Sequence, residues 1–238
     1  MIQQDHSDIT PLEAARVIAR GAKQFYDELR GDEHSRFRSW EHCYLAFHDA
    51  RNCRKPDIDY LCLHLAFYLA SWGMYRGSSF LVQKDYQAHE GIVRLLMDKR
   101  YCALWDIRCC DYMDEKNGIL LDELNEKMKM EYGVIRDSVK GETKSDISST
   151  LITKVLMGTM GCVPAYDQYF VIGLRNLKIA SGIFGSESIK AVSKFYMKYE
   201  KIFENVRKKI KFAGSDMLYP QMKILDMGMW QYGSGNND

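Results

Sequence analysis

Residues 150–175 form the segment that most restricts how this chain can fold. Their sequence is TLITKVLMGTMGCVPAYDQYFVIGLR, and only Lys154, Asp167 and Arg175 in it carry charge. A segment this apolar has to be buried, and Pro164 cannot continue a helix because it has no backbone N–H to donate. The pattern therefore predicts a buried helix, a tight turn and a second helix, with Asp167 just inside the second helix.

The rest of the chain also has the pattern of helices. Of the 238 residues, 46% are hydrophobic and 12% are aromatic, which is enough to form a packed core. Thr10 before Pro11 and Glu13 is typical of a capped helix start. No alternation of apolar and polar residues is long enough for a strand. We predict an all-α fold, either a single compact multi-helix domain or two helical lobes.

Polar turns divide the chain into predicted helices. Residues 58–74 are apolar on nearly every side, so this helix is predicted to be central and buried, and Asp57 is its predicted cap. His64 within it is predicted to be a hydrogen-bonded core histidine. Further helices are predicted over residues 80–99, 101–113, 119–139 and 186–212, with a turn at 115–118.

The polar segment 140–149 is the strongest candidate for a boundary within the chain. We therefore predict an N-terminal helical lobe at 1–140 and a C-terminal helical lobe with a basic helix at 146–225. Residues 226–238 end in Gly-Ser-Gly-Asn-Asn-Asp, a composition that favours fraying, and are predicted to be a flexible tail.

Charge is unevenly distributed although the net charge is only +1. Residues 170–212 contain ten basic and three acidic side chains, whereas residues 106–146 contain eleven acidic and seven basic ones. A basic region at 175–211 is typical of a solvated helix face, and it also fits a surface that contacts nucleic-acid phosphates. Nucleic acid is accordingly the predicted partner of this region.

The cysteines and the first residues indicate a cytoplasmic protein. The seven cysteines are odd in number and form no CxxC pair, which favours reduced thiols. The opening MIQQDHSDIT has no basic or apolar signal region, and the longest apolar run is too short for a bilayer. His42, His48 and Cys53 fit no zinc-site spacing. We expect no membrane partner, no metal and no cofactor.

Lys154 and Asp167 are the candidate catalytic residues. An aspartate near a helix N-terminus is stabilised as the anion, which suits either a helix cap or an electrostatic role in catalysis. Lys154 is a lone cation on an apolar helix. It can extend its ammonium to the surface, or it can pair with Asp167 or with a substrate.

Residues 72–79 (WGMYRGSS) are the second candidate site. Glycines, two hydroxyls and free N–H groups before a helix can bind an anion, and Arg76 would add a bidentate phosphate contact. The alternative is an ordinary capped turn. The predicted ligand-binding residues are Arg76, Ser78, Ser79 and Tyr166.

Residues 163–167 (VPAYD), after a helix and a tight turn, resemble the region downstream of the hairpin in helix-hairpin-helix DNA glycosylases. In that family an acid here assists attack on the glycosidic carbon, so the resemblance implies a base-processing protein in which Asp167 has this role. Residues 148–154 stand in the place of the family's glycine-rich hairpin and contain no glycine. Residues 39–44 (SWEHCY) and 70–80 (ASWGMYRGSSF) resemble segments of bacterial proteins.

Two alternatives remain open. Arg36 and His42 have an R-x5-H spacing similar to the Arg/His pair of HEPN-type ribonucleases. The chain can also be a non-catalytic helical interaction module. The glycosylase hypothesis expects Asp167 to face a cleft shared with Arg76 or Lys154, whereas the interaction module expects no cleft with converging polar groups.

Overall fold

The computed structural model describes residues 9–140 and 146–235, and over these ranges the chain is all-α, as the sequence predicted. No strand occurs within these ranges, and Lys211 and Leu218 form an isolated antiparallel bridge. The α-helices are α1 (Pro11–Gly31), α2 (Ser39–Ala50), α3 (Ile58–Ser71), α4 (Glu90–Leu96), α5 (Glu115–Asp137), α6 (Ser149–Thr159), α7 (Gln168–Asn176), α8 (Ser186–Lys198), α9 (Glu200–Arg207) and α10 (Gln221–Gly235).

Side-chain caps fix several helix starts. Thr10 and Glu13 form the predicted capping box of α1, and Asp57 caps α3 by accepting a hydrogen bond from the Tyr60 N–H at 3.1 Å. Asp114 caps α5 in the same way, so the helix already begins at Glu115. The prediction of a turn at 115–118 is therefore wrong, because the Asp114 cap satisfies an N–H group of the first turn.

The segment between α3 and α5 contains shorter helices than the sequence predicted. The 3-10 helices Phe80–Gln83, Tyr86–His89, Lys99–Leu104 and Cys109–Met113 replace most of the two long helices expected over 80–113. Asp85 accepts a hydrogen bond from the Gln87 N–H, and Asp98 accepts one from the Arg100 N–H. Such local side-chain bonds compete with helix propagation, which explains the interruptions.

The C-terminal helices also differ from the prediction. The helix expected over 186–212 is divided at Tyr199 into α8 and α9, and it ends at Arg207. The flexible tail predicted at 226–238 is wrong for residues 226–235, which belong to α10 and bury Met227 and Met229. Residues 236–238 lie outside the described residues.

Close backbone approach explains why a glycine-rich sequence is helical here. A Cβ on Gly228 would lie 2.2 Å from the Ile18 carbonyl oxygen of α1, and one on Gly233 would lie 2.0 Å from the Tyr169 carbonyl oxygen of α7. Only glycine permits α10 to pack so closely between these helices. Within the Gly-Ser-Gly-Asn-Asn-Asp segment, Gly233 is therefore required for packing, whereas a Cβ on Gly235 would meet no neighbour within 4 Å.

Residues 9–140 and 146–235 share one hydrophobic core. Trp40 of α2, for example, donates its indole N–H to the Met157 carbonyl of α6 at 3.0 Å. Helix α1 packs along α10, which brings the two ends of the described chain together. The expected boundary at 140–149 therefore does not separate two cores, and residues 141–145 within it lie outside the described residues.

Helix α3 is not buried on all sides, contrary to the prediction. Tyr60, Leu63 and Phe67 share one face and are 51%, 53% and 60% exposed. His64 is half-buried beside the Tyr60 ring and is not a core residue. The buried face of α3 alone holds it in the core, so the apolar composition of 58–74 predicted more burial than the helix has.

No helix within the described ranges combines the length and the apolar composition needed to cross a membrane.

His89 is a buried histidine, whose two ring nitrogens lie 2.7 Å from the Tyr75 hydroxyl and 2.9 Å from the Tyr132 hydroxyl. Burial lowers the pKa of His89 to about 4.

We expect deletion of residues 226–238 to unfold the protein, because it removes most of α10, including the buried Met227 and Met229, from α1 and α7. Loss of one large buried apolar side chain costs about 3–5 kcal/mol, and this deletion removes several. Circular dichroism and thermal unfolding of the purified variant measure the effect. Deletion of residues 236–238 alone is the matched control, and equal stability of the two variants would contradict the role of α10.

We expect the free energy of unfolding to fall as the pH is lowered from about 6.5 to 4. Unfolded His89 binds a proton near pH 6.5, whereas folded His89 binds one only near pH 4, so acid favours the unfolded chain. The shift corresponds to about 3 kcal/mol.

Urea unfolding of the wild type and of His89→Gln at pH 7, 5.5 and 4.5 measures this contribution. The variant should be less stable at pH 7 and less sensitive to acid. His34→Gln, at an exposed position, should retain the wild-type dependence. If the free energy of unfolding of His89→Gln depends on pH as steeply as that of the wild type, groups other than His89 cause the acid sensitivity.

Candidate functional site

The segment 150–175 folds as predicted into a helix, a turn and a second helix, namely α6 and α7. Gly161 in the turn has φ +64°, where glycine is favoured, and Asp167 is the N-cap of α7. The Asp167 Oδ1 atom accepts a hydrogen bond from the Phe170 N–H at 3.1 Å. Its other carboxylate oxygen therefore remains available to a second partner.

That second partner is Lys154. The Lys154 Nζ atom lies 3.0 Å from Asp167 Oδ2, and the two side chains are 5% and 15% exposed. Nζ also lies 4.9 Å from the centroid of the Trp72 ring, within cation–π distance. Lys154 thus stays inside the protein instead of extending to the surface, and it pairs with the acid that the sequence proposed as its partner.

The ion pair lines a cavity of about 440 Å³, which we call the lysine cavity. Arg36 and Arg76 line it as well, so the cleft shared by Asp167, Lys154 and Arg76 that the glycosylase hypothesis expects is present. The remaining lining residues are Phe37, Ser71, Trp72, Gly73, Met74, Thr150, Gln168, Tyr169 and Trp230.

Aromatic side chains form a continuous wall of the lysine cavity. The Phe37 ring lies 4.9 Å from that of Trp72 and 5.9 Å from that of Trp230, and Tyr169 meets Trp230 edge-on at 5.4 Å. The Trp72 indole N–H is buried and has no hydrogen-bond partner among the described residues. A buried donor without a partner is uncommon in protein interiors.

The lysine cavity is cationic. Arg36 packs its guanidinium over the Phe37 ring at 4.9 Å. Neither Arg36 nor Arg76 forms an ion pair with an acid in the described ranges, whereas Asp167 already has Lys154 and the α7 N-terminus as partners. The cavity therefore favours a ligand that is aromatic and negatively charged.

The other predicted ligand-binding residues lie elsewhere. Ser78 and Ser79 line a neighbouring cavity of about 290 Å³, which we call the serine cavity, and Arg76 lines both cavities. Tyr166 is buried, and its hydroxyl lies 2.7 Å from Ser188 Oγ. Assigning Tyr166 to ligand binding is corrected, because this side chain supports the turn from within the core.

Sequence reasoning missed the aromatic wall and part of the rim. The R-x5-H spacing pairs Arg36 with His42, but His42 is exposed and does not line the lysine cavity. The predicted tail at 226–238 includes Trp230. A sequence signal exists for Phe37, a large apolar residue between two arginines in a polar loop.

A second buried ion pair lies behind the lysine cavity. The Lys223 Nζ atom lies 2.7 Å from Asp226 Oδ2, and it is 4.8 Å from the Trp40 ring and 5.3 Å from the Trp72 ring. Asp226 Oδ1 accepts the Ala165 N–H at 2.9 Å. This pair therefore connects α10 to the turn that carries Asp167.

The basic region 175–211 is only partly available to a partner. Arg207 pairs with Glu204 at 3.0 Å, and Lys211 pairs with Asp216 at 2.6 Å. Lys194 and Lys198 on α8 and Lys201 on α9 are exposed. The exposed cations are spread over two helices because the single basic helix expected here is divided.

No group of three or more histidine, cysteine, aspartate or glutamate side chains in the described ranges is arranged to hold a metal ion. The cysteines are free thiols; Cys43, Cys62, Cys109 and Cys162 are buried, while Cys53, Cys102 and Cys110 are exposed. Burial raises the pKa of the Cys162 thiol to about 12, so this cysteine stays protonated at neutral pH.

The chain matches no protein-family model, and no curated protein and no solved structure matches it. The function therefore has to be argued from the geometry of the lysine cavity and from the chemistry of its side chains.

We expect Asp226→Asn to destabilise the protein by about 3–5 kcal/mol, because it leaves the buried Lys223 ammonium without a counter-ion. Lys223→Met should be destabilising for the converse reason. The double variant Lys223→Met with Asp226→Asn removes both charges and should be more stable than the sum of the single effects indicates. Urea unfolding of the four proteins measures the coupling, and additive single effects would contradict a buried charge pair.

Proposed function

We propose that this protein binds DNA and processes a base that enters the lysine cavity. The observation that carries the proposal is the Lys154–Asp167 pair, 3.0 Å apart in a cavity walled by aromatic side chains and arginines. An amine and a carboxylate in contact at an accessible site can act as nucleophile and proton acceptor. The resemblance of residues 163–167 to helix-hairpin-helix DNA glycosylases supports the same conclusion.

The size and lining of the cavity suit a nucleobase. Its volume of about 440 Å³ falls within the range of small-molecule pockets. Stacking of a base on an aromatic side chain contributes about 1–3 kcal/mol, and Phe37, Trp72 and Trp230 offer such surfaces. Enzymes that act on a base take it out of the stack into a pocket of this kind.

The reaction follows from the two side chains. Asp167 accepts a proton from the Lys154 ammonium, and the free amine attacks C1′ of the flipped nucleotide. The bond between C1′ and the base breaks, and the base leaves with the bonding electrons and takes up the proton held by Asp167. The nitrogen now bonded to C1′ carries two hydrogens and transfers one proton to the ring oxygen. Opening of the sugar ring then gives an iminium between Lys154 and C1′, which water hydrolyses.

The cations outside the pair fit the phosphates of DNA. Arg36 and Arg76 lie at the lysine cavity without acidic partners in the described ranges, and a guanidinium binds phosphate oxygens in bidentate fashion. Exposed lysines of α8 and α9, among them Lys194 and Lys201, provide wider contacts in the basic region 175–211. This interpretation predicts salt-sensitive DNA binding.

We expect a DNA oligonucleotide with an abasic site to form a covalent adduct with the protein in the presence of borohydride, which reduces the iminium on Lys154. An abasic aldehyde tests the amine directly, because no particular base has to be removed first. Lys154→Arg keeps the positive charge but lacks a nucleophilic amine, so the adduct should disappear. Asp167→Asn should slow its formation by about a hundredfold, within the usual effect of a general base.

Matched stability is required for this comparison, so thermal unfolding of both variants accompanies the trapping assay. Lys198→Arg, at an exposed lysine of α8, is the control and should trap DNA like the wild type. Adduct formation by Lys154→Arg at the wild-type rate would show that another amine reacts. Excision assays on oligonucleotides with modified bases then identify the base that is removed.

The non-catalytic alternative is favoured by one observation, the exposed apolar face of α3 formed by Tyr60, Leu63 and Phe67. A protein-interaction module would give no adduct and no salt-sensitive thermal shift with DNA. The HEPN-like alternative stays a prediction; Arg36 lines the lysine cavity and His42 does not.

A further inference from the structure

We propose that the serine cavity binds the phosphodiester of the nucleotide next to the one in the lysine cavity. The ligand is then a DNA strand and not a free nucleoside. This inference rests on the proposed function, since it extends the same site by one nucleotide. Three observations support it. The two cavities share lining residues, the serine cavity has hydroxyl hydrogens without an acceptor, and Arg76 has no acidic partner in the described ranges.

The two cavities meet at Gly73, Met74 and Arg76, which line both. Gly73 has φ +77°, and a Cβ at this position would lie 3.1 Å from Arg76 Cζ. The Arg76 guanidinium therefore packs against bare backbone at the junction of the cavities. Any side chain at position 73 would strain the loop and displace the guanidinium.

The serine cavity offers hydroxyl hydrogens that no described group accepts. Ser79 Oγ and Ser148 Oγ each accept one hydrogen bond, from the Leu81 and Leu151 N–H groups respectively, and each hydroxyl hydrogen is left to donate. Ser78 adds a third hydroxyl on the same cavity. A phosphate presents oxygens that only accept hydrogen bonds, so it complements this set of donors.

Charge favours the same ligand. Arg76 and Arg136 line the serine cavity together with one acid among the described residues, Asp146. Arg136 already contacts Asp137 at 2.9 Å, so Arg76 is the cation that remains for a ligand. The Asp146 carboxylate repels an anion. Removal of its charge should therefore strengthen anion binding, whereas removal of the Arg76 charge should weaken it.

A DNA strand can occupy both cavities, whereas a free nucleoside can occupy only the lysine cavity. In DNA each base is followed by a phosphate, so a base in the lysine cavity places the neighbouring phosphate near the cavity junction. Arg76 would hold this phosphate, and the serine hydroxyls would bind its remaining oxygens. A nucleoside would occupy the aromatic wall and leave these donors to water.

Fluorescence anisotropy with a labelled 12-nucleotide single-stranded DNA, measured at several salt concentrations, tests the proposal. We expect Arg76→Ala to weaken binding about tenfold or more and to lower the magnitude of the slope of log K against log salt by about 0.7, the value for one phosphate contact on a single strand. Arg94→Ala removes the same charge from an exposed pair with Glu90 and should change neither quantity. Asp146→Asn should strengthen binding.

The result that overturns the proposal is an Arg76→Ala protein that binds like Arg94→Ala. Equal competition by a mixture of free nucleosides and by unlabelled strand would overturn it as well, as would a wild-type protein that binds no strand. Borohydride trapping reports separately on the chemistry. Salt-sensitive binding that depends on Arg76 without any Lys154 adduct would support the phosphate subsite and refute the proposed reaction. A Lys154 adduct together with unchanged strand binding by Arg76→Ala would support the proposed reaction and refute the phosphate subsite.

Discussion

The Asp226 carboxylate is the group on which the geometry of the site depends. One of its oxygens binds the buried Lys223 ammonium and the other accepts the Ala165 N–H. A buried carboxylate is tolerated only when its oxygens have such partners. Because Asp226 belongs to α10 and Ala165 to the turn before Asp167, the last helix fixes the position of the proposed catalytic acid.

Trp72 lies near both buried lysines, 4.9 Å from Lys154 Nζ and 5.3 Å from Lys223 Nζ. Each ammonium has its own aspartate, so the two pairs add little net charge to the lysine cavity. The cationic character comes from Arg36 and Arg76, which have no acidic partner in the described ranges. Attraction of an anionic ligand and the proposed chemistry therefore reside in different side chains.

Local sequence signals predicted the parts of the fold that depend on neighbouring residues. The Asp57 cap follows from a short-range hydrogen bond. The two helices and the turn over 150–175 follow from the burial of an apolar segment, in which Lys154 and Asp167 stand out as polar side chains. The aromatic wall was missed because Phe37, Trp72, Tyr169 and Trp230 come from separate elements of the chain. Helix α10 was missed because close packing of glycine against a carbonyl has no local signature.

The two ion pairs differ in a way that separates structure from chemistry. Buried pairs contribute little net stability, and apolar side chains of the same volume often serve as well. The Lys223–Asp226 pair is enclosed by the Trp40, Phe25 and Trp72 rings and does not line either cavity, so it can only position its neighbours. Lys154 also pairs with an aspartate, but it lines the lysine cavity. There its proton can be exchanged and its nitrogen can reach a ligand. Access to a ligand, and not the ion pair itself, is what makes Lys154 the candidate nucleophile.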